Sequence, residues 1–328
     1  MNNMWGDMSQ YSEIYWPWPI AIYLFLAGLS AGATMVALLV KWNRHESEQN
    51  SIWDAMIRAG AITAPITICA GLLLLIFDLG KPLTFYLLLI KFNFGSVMSL
   101  GVAALLIYVP LSFVFALCVF GEEICKFKLL AFLRPIVNLL SSFAKASKLF
   151  ERVLFILALC VGAYTGFLLS AVMKIPLWNT PVLPILFLLS GFSSGIAASI
   201  LVGLLFFKGS LNKDSIKYLL VLDLRAILFE IPLLFILFVG MYFEGGTSAL
   251  AAQQALTHEV YGKIFWIGVL GTGLIAPIII AFTALKNRLQ ACVYSFKFFR
   301  RALRRHSASL LHRICGANLH GSVVSLPI

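Results

Sequence analysis

Charge is scarce in this chain. Only 12% of its 328 residues are Asp, Glu, Lys or Arg, while 61% are hydrophobic. A soluble domain has about a quarter charged residues, so the chain lacks enough charge to cover a soluble surface of its size. Alternation at period two is also missing, which excludes a membrane β-barrel. The six cysteines (Cys69, Cys118, Cys125, Cys160, Cys292, Cys315) are scattered and form no CxxC pair. Zinc, iron–sulfur and disulfide-framework readings therefore lose support. No histidine lies inside an apolar run: His45, His258, His306, His312 and His320 all fall outside them. A membrane haem takes its axial ligands from within helices, so no haem is expected. A protein with neither haem nor cluster does not carry electrons over distance alone. Any redox role requires a partner that holds the cofactors. The first 17 residues contain no Lys or Arg, so a signal-peptide n-region is absent from them.

What is present is a series of apolar runs of about 20 residues, the length that crosses a bilayer core. Seven are clear: Pro19–Val40, Ala59–Leu79, Val97–Phe120, Val153–Met173, Pro184–Phe207, Leu219–Phe243 and Phe265–Leu285. An eighth, "ACVYSFKFFRRAL", starts as a span and then meets Lys297, Arg300, Arg301, Arg304 and Arg305. The fold class expected is an all-α polytopic membrane protein. The net charge of +11 collects between the runs. Alternate connections hold twenty Lys and Arg against four, with Arg225 inside a span. The positive-inside rule then places the N-terminus outside, which explains the charge better than a nucleic-acid partner does. The segment Gly121–Arg152 fits an interfacial helix or a solvated loop.

One pattern occurs twice. "FLAGLSAGA" (Phe25–Ala33) and "LLSGFSSGI" (Leu188–Ile196) are offset by 163 residues. Gly28, Ser30 and Gly32 match Gly191, Ser193 and Gly195. Small residues four apart let helices approach closely in lipid. Four spans separate the copies, so both helices cross in the same direction. That suggests two parallel four-helix halves, residues 1–175 and 176–328.

Ionisable side chains inside a membrane are functional candidates by default. Asp78 closes the second span, and Asp223 and Glu230 lie seven apart on one face of the sixth. Tyr23 and Tyr164 fall at the same outer depth as Asp78. A carboxylate can accept a proton and phenols can hydrogen-bond a quinone oxygen. Interfacial anchoring for the tyrosines and a water-facing helix end for Asp78 remain open. Asp223 and Glu230 suit proton transfer, with a solvated position near the inner surface open for Asp223.

Three stretches resemble the NrfD/PsrC family of membrane subunits: "WPWPIAIYLFLAGLSAGA", "FDLGKPLTFYLLL" (Phe77–Leu89) and "ALTHEVYGKIFWIGVLGTGLIAP" (Ala255–Pro277). The second is the most specific, and the resemblance runs over about Trp16–Leu285. It implies a respiratory complex of the polysulfide or thiosulfate reductase type. Such a complex has a molybdenum catalytic subunit and an iron–sulfur subunit on the outer, periplasmic face. The membrane subunit takes electrons from menaquinol near that face of the bacterial inner membrane. The resemblance puts the family's functional tyrosines and acids on Tyr23, Asp78, Tyr164, Asp223 and Glu230. After Lys286 this sequence departs from the family, so its C-terminal Arg is not carried over, and Arg305 corresponds only by distance along the chain.

The reading is a quinol-oxidising anchor in which Tyr23 and Tyr164 position the quinol oxygens and Asp78 accepts a proton. "YFEGGTSALAAQQ" (Tyr242–Gln254) is expected to be a loop for partner docking or simple connection. A secondary transporter built from parallel repeats and a purely structural anchor are the alternatives.

Overall fold

The computed structural model describes residues 18–43, 54–78, 95–124, 148–172 and 175–286. The Lys81–Lys91 segment, most of Gly121–Arg152, the eighth apolar run and Arg305 lie outside those residues. The chain divides into two compact units, 1–278 and 279–328. The described part of the second is the end of the last helix.

All seven expected spans are helices. They are α1 (Trp18–Asn43), α2 (Ala55–Asp78), α3 (Val97–Ile124), α4 (Lys148–Ser170), α5 (Leu183–Phe206) and α6 (Lys213–Glu244), then a seventh, composite span. Among the described residues no strand occurs. The expected loop Tyr242–Gln254 is instead helical: α6 runs to Glu244, and α7 occupies Gly246–Thr257. Gly245 and Gly246 have φ of 74° and 57°, so glycine alone turns the chain between two helices. In the seventh span α8 (Glu259–Lys263) leads into a π-helix, Ile264–Ile275, and then α9 (Ala276–Lys286). The π segment holds Gly268, Gly271 and Gly273, which suit a widened helix poorly supported by side-chain packing.

Local chemistry sets several helix ends. Asp54 Oδ1 accepts the Met56 N–H at 2.8 Å, and Asn212 caps α6 through the Asp214 N–H, so each side chain satisfies a donor that the first turn leaves free. Pro184 sits in the first turn of α5, where its missing N–H costs nothing.

Consecutive spans of the first unit run in opposite directions. At one end of the packed helices, the start of α1 meets the end of α2, and Gly166 near the end of α4 lies against Pro184 at the start of α5. At the other end, Lys41 pairs with Glu151 at 2.5 Å, and Trp42 Nε1 donates to the same carboxylate at 2.7 Å. The centre is the contact of α1 with α5. Gly28 and Gly32 lie directly against Gly191 and Gly195, backbone to backbone. α1 is buried along most of its length, whereas the seventh span exposes Ile264, Trp266, Ile267 and Ile275, a surface suited to lipid.

The second end also holds Arg58, which in the sequence directly precedes the apolar run Ala59–Leu79. Arg58 stands in the first turns of α2 and is buried. Its guanidinium lies 5.1 Å from the Phe120 ring centroid and 4.9 Å from that of Phe207. Cation–π attraction to two faces makes this burial tolerable. Asp54 is buried beside it and accepts the Ser215 hydroxyl at 2.6 Å. The cluster joins α2 to the ends of α3 and α5 and to the start of α6.

Candidate functional site

Four helices converge at the end where α1 begins. α1 brings Tyr23, which is 2% exposed. Its ring lies over Gly71 of α2, where an added Cβ would sit 3.3 Å from ring atom Cδ2. α4 brings Tyr164, 8% exposed. Its ring occupies the space directly over Gly101 of α3, where any Cβ would collide with Cζ and Cε2. The two phenols are close enough to interact electrostatically. Each phenol is thus seated on a glycine from a different helix. A side chain at Gly101 would take the volume that the Tyr164 ring now fills, and one at Gly71 would press on the Tyr23 ring.

Asp78 is the last residue of α2, seven residues beyond Gly71. Two helical turns bring it back to the same helix face, nearer that end of the packed helices. Its side chain lies outside the described set. Tyr23 and Tyr164 are thus brought within electrostatic reach of each other, and the α2 backbone places Asp78 about two turns beyond them, toward the same end.

Asp223 and Glu230 form a separate group on α6. Both are buried. Ser193 Oγ of α5 donates to Asp223 Oδ1 at 2.6 Å, which compensates part of the cost of burying that carboxyl. Glu230 lies within electrostatic reach of Asp223, and its Oε1 has no hydrogen-bond partner among the described residues.

Sequence reasoning missed a third polar group. Tyr108 of α3 is fully buried. Its hydroxyl lies 2.9 Å from Ser30 Oγ and 2.7 Å from Thr34 Oγ1, both on α1. Ser30 Oγ donates to the Ala64 carbonyl of α2 at 2.7 Å. The signal was available: Tyr108 stands in the middle of an apolar run, too deep for an interfacial anchor. Asp54 and Arg58 were also legible as a capping Asp and a first-turn Arg just before a span.

Chemically, the first end offers two buried phenols, whose hydroxyls can donate and accept, each ring seated on a glycine. The α6 pair offers carboxyls that can hold and release protons. No group of three or more His, Cys, Asp or Glu able to hold a metal occurs among the described residues.

Comparison with known proteins identifies a family. The family model described as "Polysulphide reductase, NrfD" matches residues 6–296. A polysulfide reductase chain of Wolinella succinogenes is 53% identical over 280 residues, 85% of this protein and 87% of the relative. Protein NrfD homolog of Haemophilus influenzae is 38% identical, covering 81% of this protein and 83% of the relative. A selenate reductase subunit of Mesobacillus selenatarsenatis is 26% identical, covering 86% and 69%.

Proposed function

The chain belongs to the NrfD polysulphide reductase family, and we propose that it is the quinol-oxidising membrane subunit of a respiratory reductase. Two relatives are named as one chain of a polysulfide reductase and one subunit of a selenate reductase, which supports membership of a multi-subunit complex. The partners are an iron–sulfur subunit and a molybdenum catalytic subunit. The charge asymmetry supports a bacterial inner membrane orientation with the N-terminus periplasmic, which puts both partners on the end where α1 begins.

The observation that carries the reading is the pairing of two buried phenols, Tyr23 and Tyr164, within electrostatic reach of each other, with Asp78 two turns further along α2 toward the same membrane face. A quinol ring needs flat apolar walls and hydrogen-bonding groups for two oxygens. The phenol rings, seated on Gly71 and Gly101, are flat and apolar, and their hydroxyls supply the hydrogen bonds. These residues fit menaquinol. When bound, menaquinol supplies two electrons and two protons. Tyr23 and Tyr164 hold its oxygens, and Asp78 takes a proton and passes it to the nearby surface. Burial of both phenols keeps bulk water from the oxygens. Residues 1–175 form the quinol-binding half. The second half, 176–328, keeps the repeated glycines but has Leu186 where the first has Tyr23. Asp223 and Glu230 handle protons there. Sulfur chemistry belongs to the partner subunit.

The test is Asp78→Asn in the purified complex, assayed with a menaquinol analogue. Quinol oxidation is lost while the three subunits still co-purify. Near-normal turnover by that variant defeats the assignment.

A further inference from the structure

Three helices carry two layers each, and the layers keep the same spacing. On α1, Tyr23 and Ser30 are seven residues apart. On α2, Gly71 and Ala64 are seven apart. On α3, Gly101 and Tyr108 are seven apart. Seven residues are two turns, a rise of about 10.5 Å on one helix face. The hydroxyl network of Tyr108, Ser30, Thr34 and the Ala64 carbonyl therefore lies two turns beneath the phenol–glycine layer on all three helices.

The direction of the hydrogen bonds decides what the network does. Ser30 has one hydroxyl proton and gives it to the Ala64 carbonyl. Its oxygen must then accept from Tyr108, whose oxygen accepts in turn from Thr34. The relay has one fixed polarity and ends on a backbone carbonyl, which has no proton to pass on. It does not conduct protons. It fixes the axial register of α1, α2 and α3 in a setting where apolar side chains alone slide at little cost. We infer that Tyr108 is a positioning residue for quinol binding: through Ser30, Thr34 and Ala64 it sets the height of Tyr23 against Gly71 and of Gly101 beneath Tyr164. This inference rests on the quinol reading above.

The test uses the assembled complex and two readouts. One is the Kd of a non-oxidisable quinol analogue, measured by calorimetry. The other is KM and kcat for a menaquinol analogue, per assembled complex. Tyr108→Phe keeps the ring and removes the hydroxyl. It raises both Kd and KM about tenfold, short of the hundredfold that an ångström-scale misplacement can cost, and leaves kcat within about twofold, because uniform binding is what is lost. Ser30→Ala does the same, and the double variant is no worse than either, since both break one network. A purely structural role lowers the yield of complex and leaves its Kd and KM unchanged. If Tyr108→Phe does not assemble, the near-isosteric Thr34→Val carries the test with a smaller rise. Unchanged Kd and KM in the variant that assembles, or additive effects in the double variant, overturn the inference alone. A wild-type complex that neither binds the analogue nor oxidises quinol overturns the quinol reading and this inference with it.

Discussion

Gly195 of α5 packs against Gly32 of α1 so closely that a Cβ on either would strike the other helix's backbone. These two glycines are the matched positions of the repeated pattern, so the two copies pack against each other. The repeat is a self-complementary contact between two helices that cross in the same direction, as in parallel repeats related by an axis along the membrane normal. Close approach replaces the hydrophobic drive that lipid removes.

The glycines are not equivalent, which makes the contact testable. A Cβ at Gly28 would meet only ordinary contact, 3.6 Å from the Gly191 Cα. A Cβ at Gly32 would overlap the Gly191 carbonyl, and backbone cannot move aside as a side-chain tip can. Gly32→Ala is therefore expected to destabilise the protein by about 1–3 kcal/mol, the usual cost of overpacking, while Gly28→Ala is nearly neutral. Thermal unfolding of the detergent-solubilised protein checks both. Equal melting temperatures for the two variants would contradict the crossing described here.

The fold was largely legible in the sequence, because length and apolarity alone specify a membrane helix. What was harder to see follows from side-chain geometry. The glycine pairs were visible, but not that they face each other. Tyr23 and Tyr164 were reached by depth, whereas Gly71 and Gly101 were invisible as site residues because a glycine's contribution is the absence of a side chain. Arg58, just ahead of an apolar run, reads as loop charge because nothing in the sequence says that Phe120 and Phe207, 62 and 149 residues further along, close over it. Ser30 and Ser193 match by repeat, yet Ser30 serves a tyrosine and Ser193 an aspartate. The matched serines thus anchor different partners.

Gly101→Ala should displace the Tyr164 ring, since the added carbon would overlap ring atoms that cannot bend away from their plane. The expected result is a fall in quinol kcat/KM of about a hundredfold, the scale of an ångström misplacement, with the complex still assembled. Steady-state kinetics with a menaquinol analogue measures it. Tyr164→Phe, which leaves the ring in place, should lose about tenfold, in line with one net hydrogen bond.

Arg58→Met should lower stability by about 1–2 kcal/mol through loss of the two aromatic contacts. Leaving Asp54 with less positive charge nearby adds to that. The cluster is at the opposite end from the phenols, so quinol KM is expected to stay at the wild-type value. A melting curve and a KM determination on the same preparation check the pair of outcomes. A large KM change with an unchanged melting temperature would place Arg58 in the quinol machinery instead.

Glu230→Gln separates proton handling from quinol binding. Glu230 stands two turns along α6 from Asp223, whose carboxylate is held by Ser193 on α5, and neither acid belongs to the layer of Tyr23, Gly71, Gly101 and Tyr164. Gln preserves size and most hydrogen-bonding capacity but cannot give or take a proton at neutral pH. If the α6 acids move protons during turnover, kcat falls by about tenfold to a hundredfold, the low end of what a positioned acid–base group supplies, and quinol KM is unchanged. Ser193→Ala, which leaves Asp223 without its donor, should shift the pH profile of kcat and leave analogue binding intact. Proteoliposomes loaded with a pH-sensitive dye give the second readout, since proton release into or out of the lumen per quinol oxidised is counted directly. Full turnover with unchanged proton stoichiometry in Glu230→Gln would reduce the α6 pair to packing and leave proton handling to Asp78 alone.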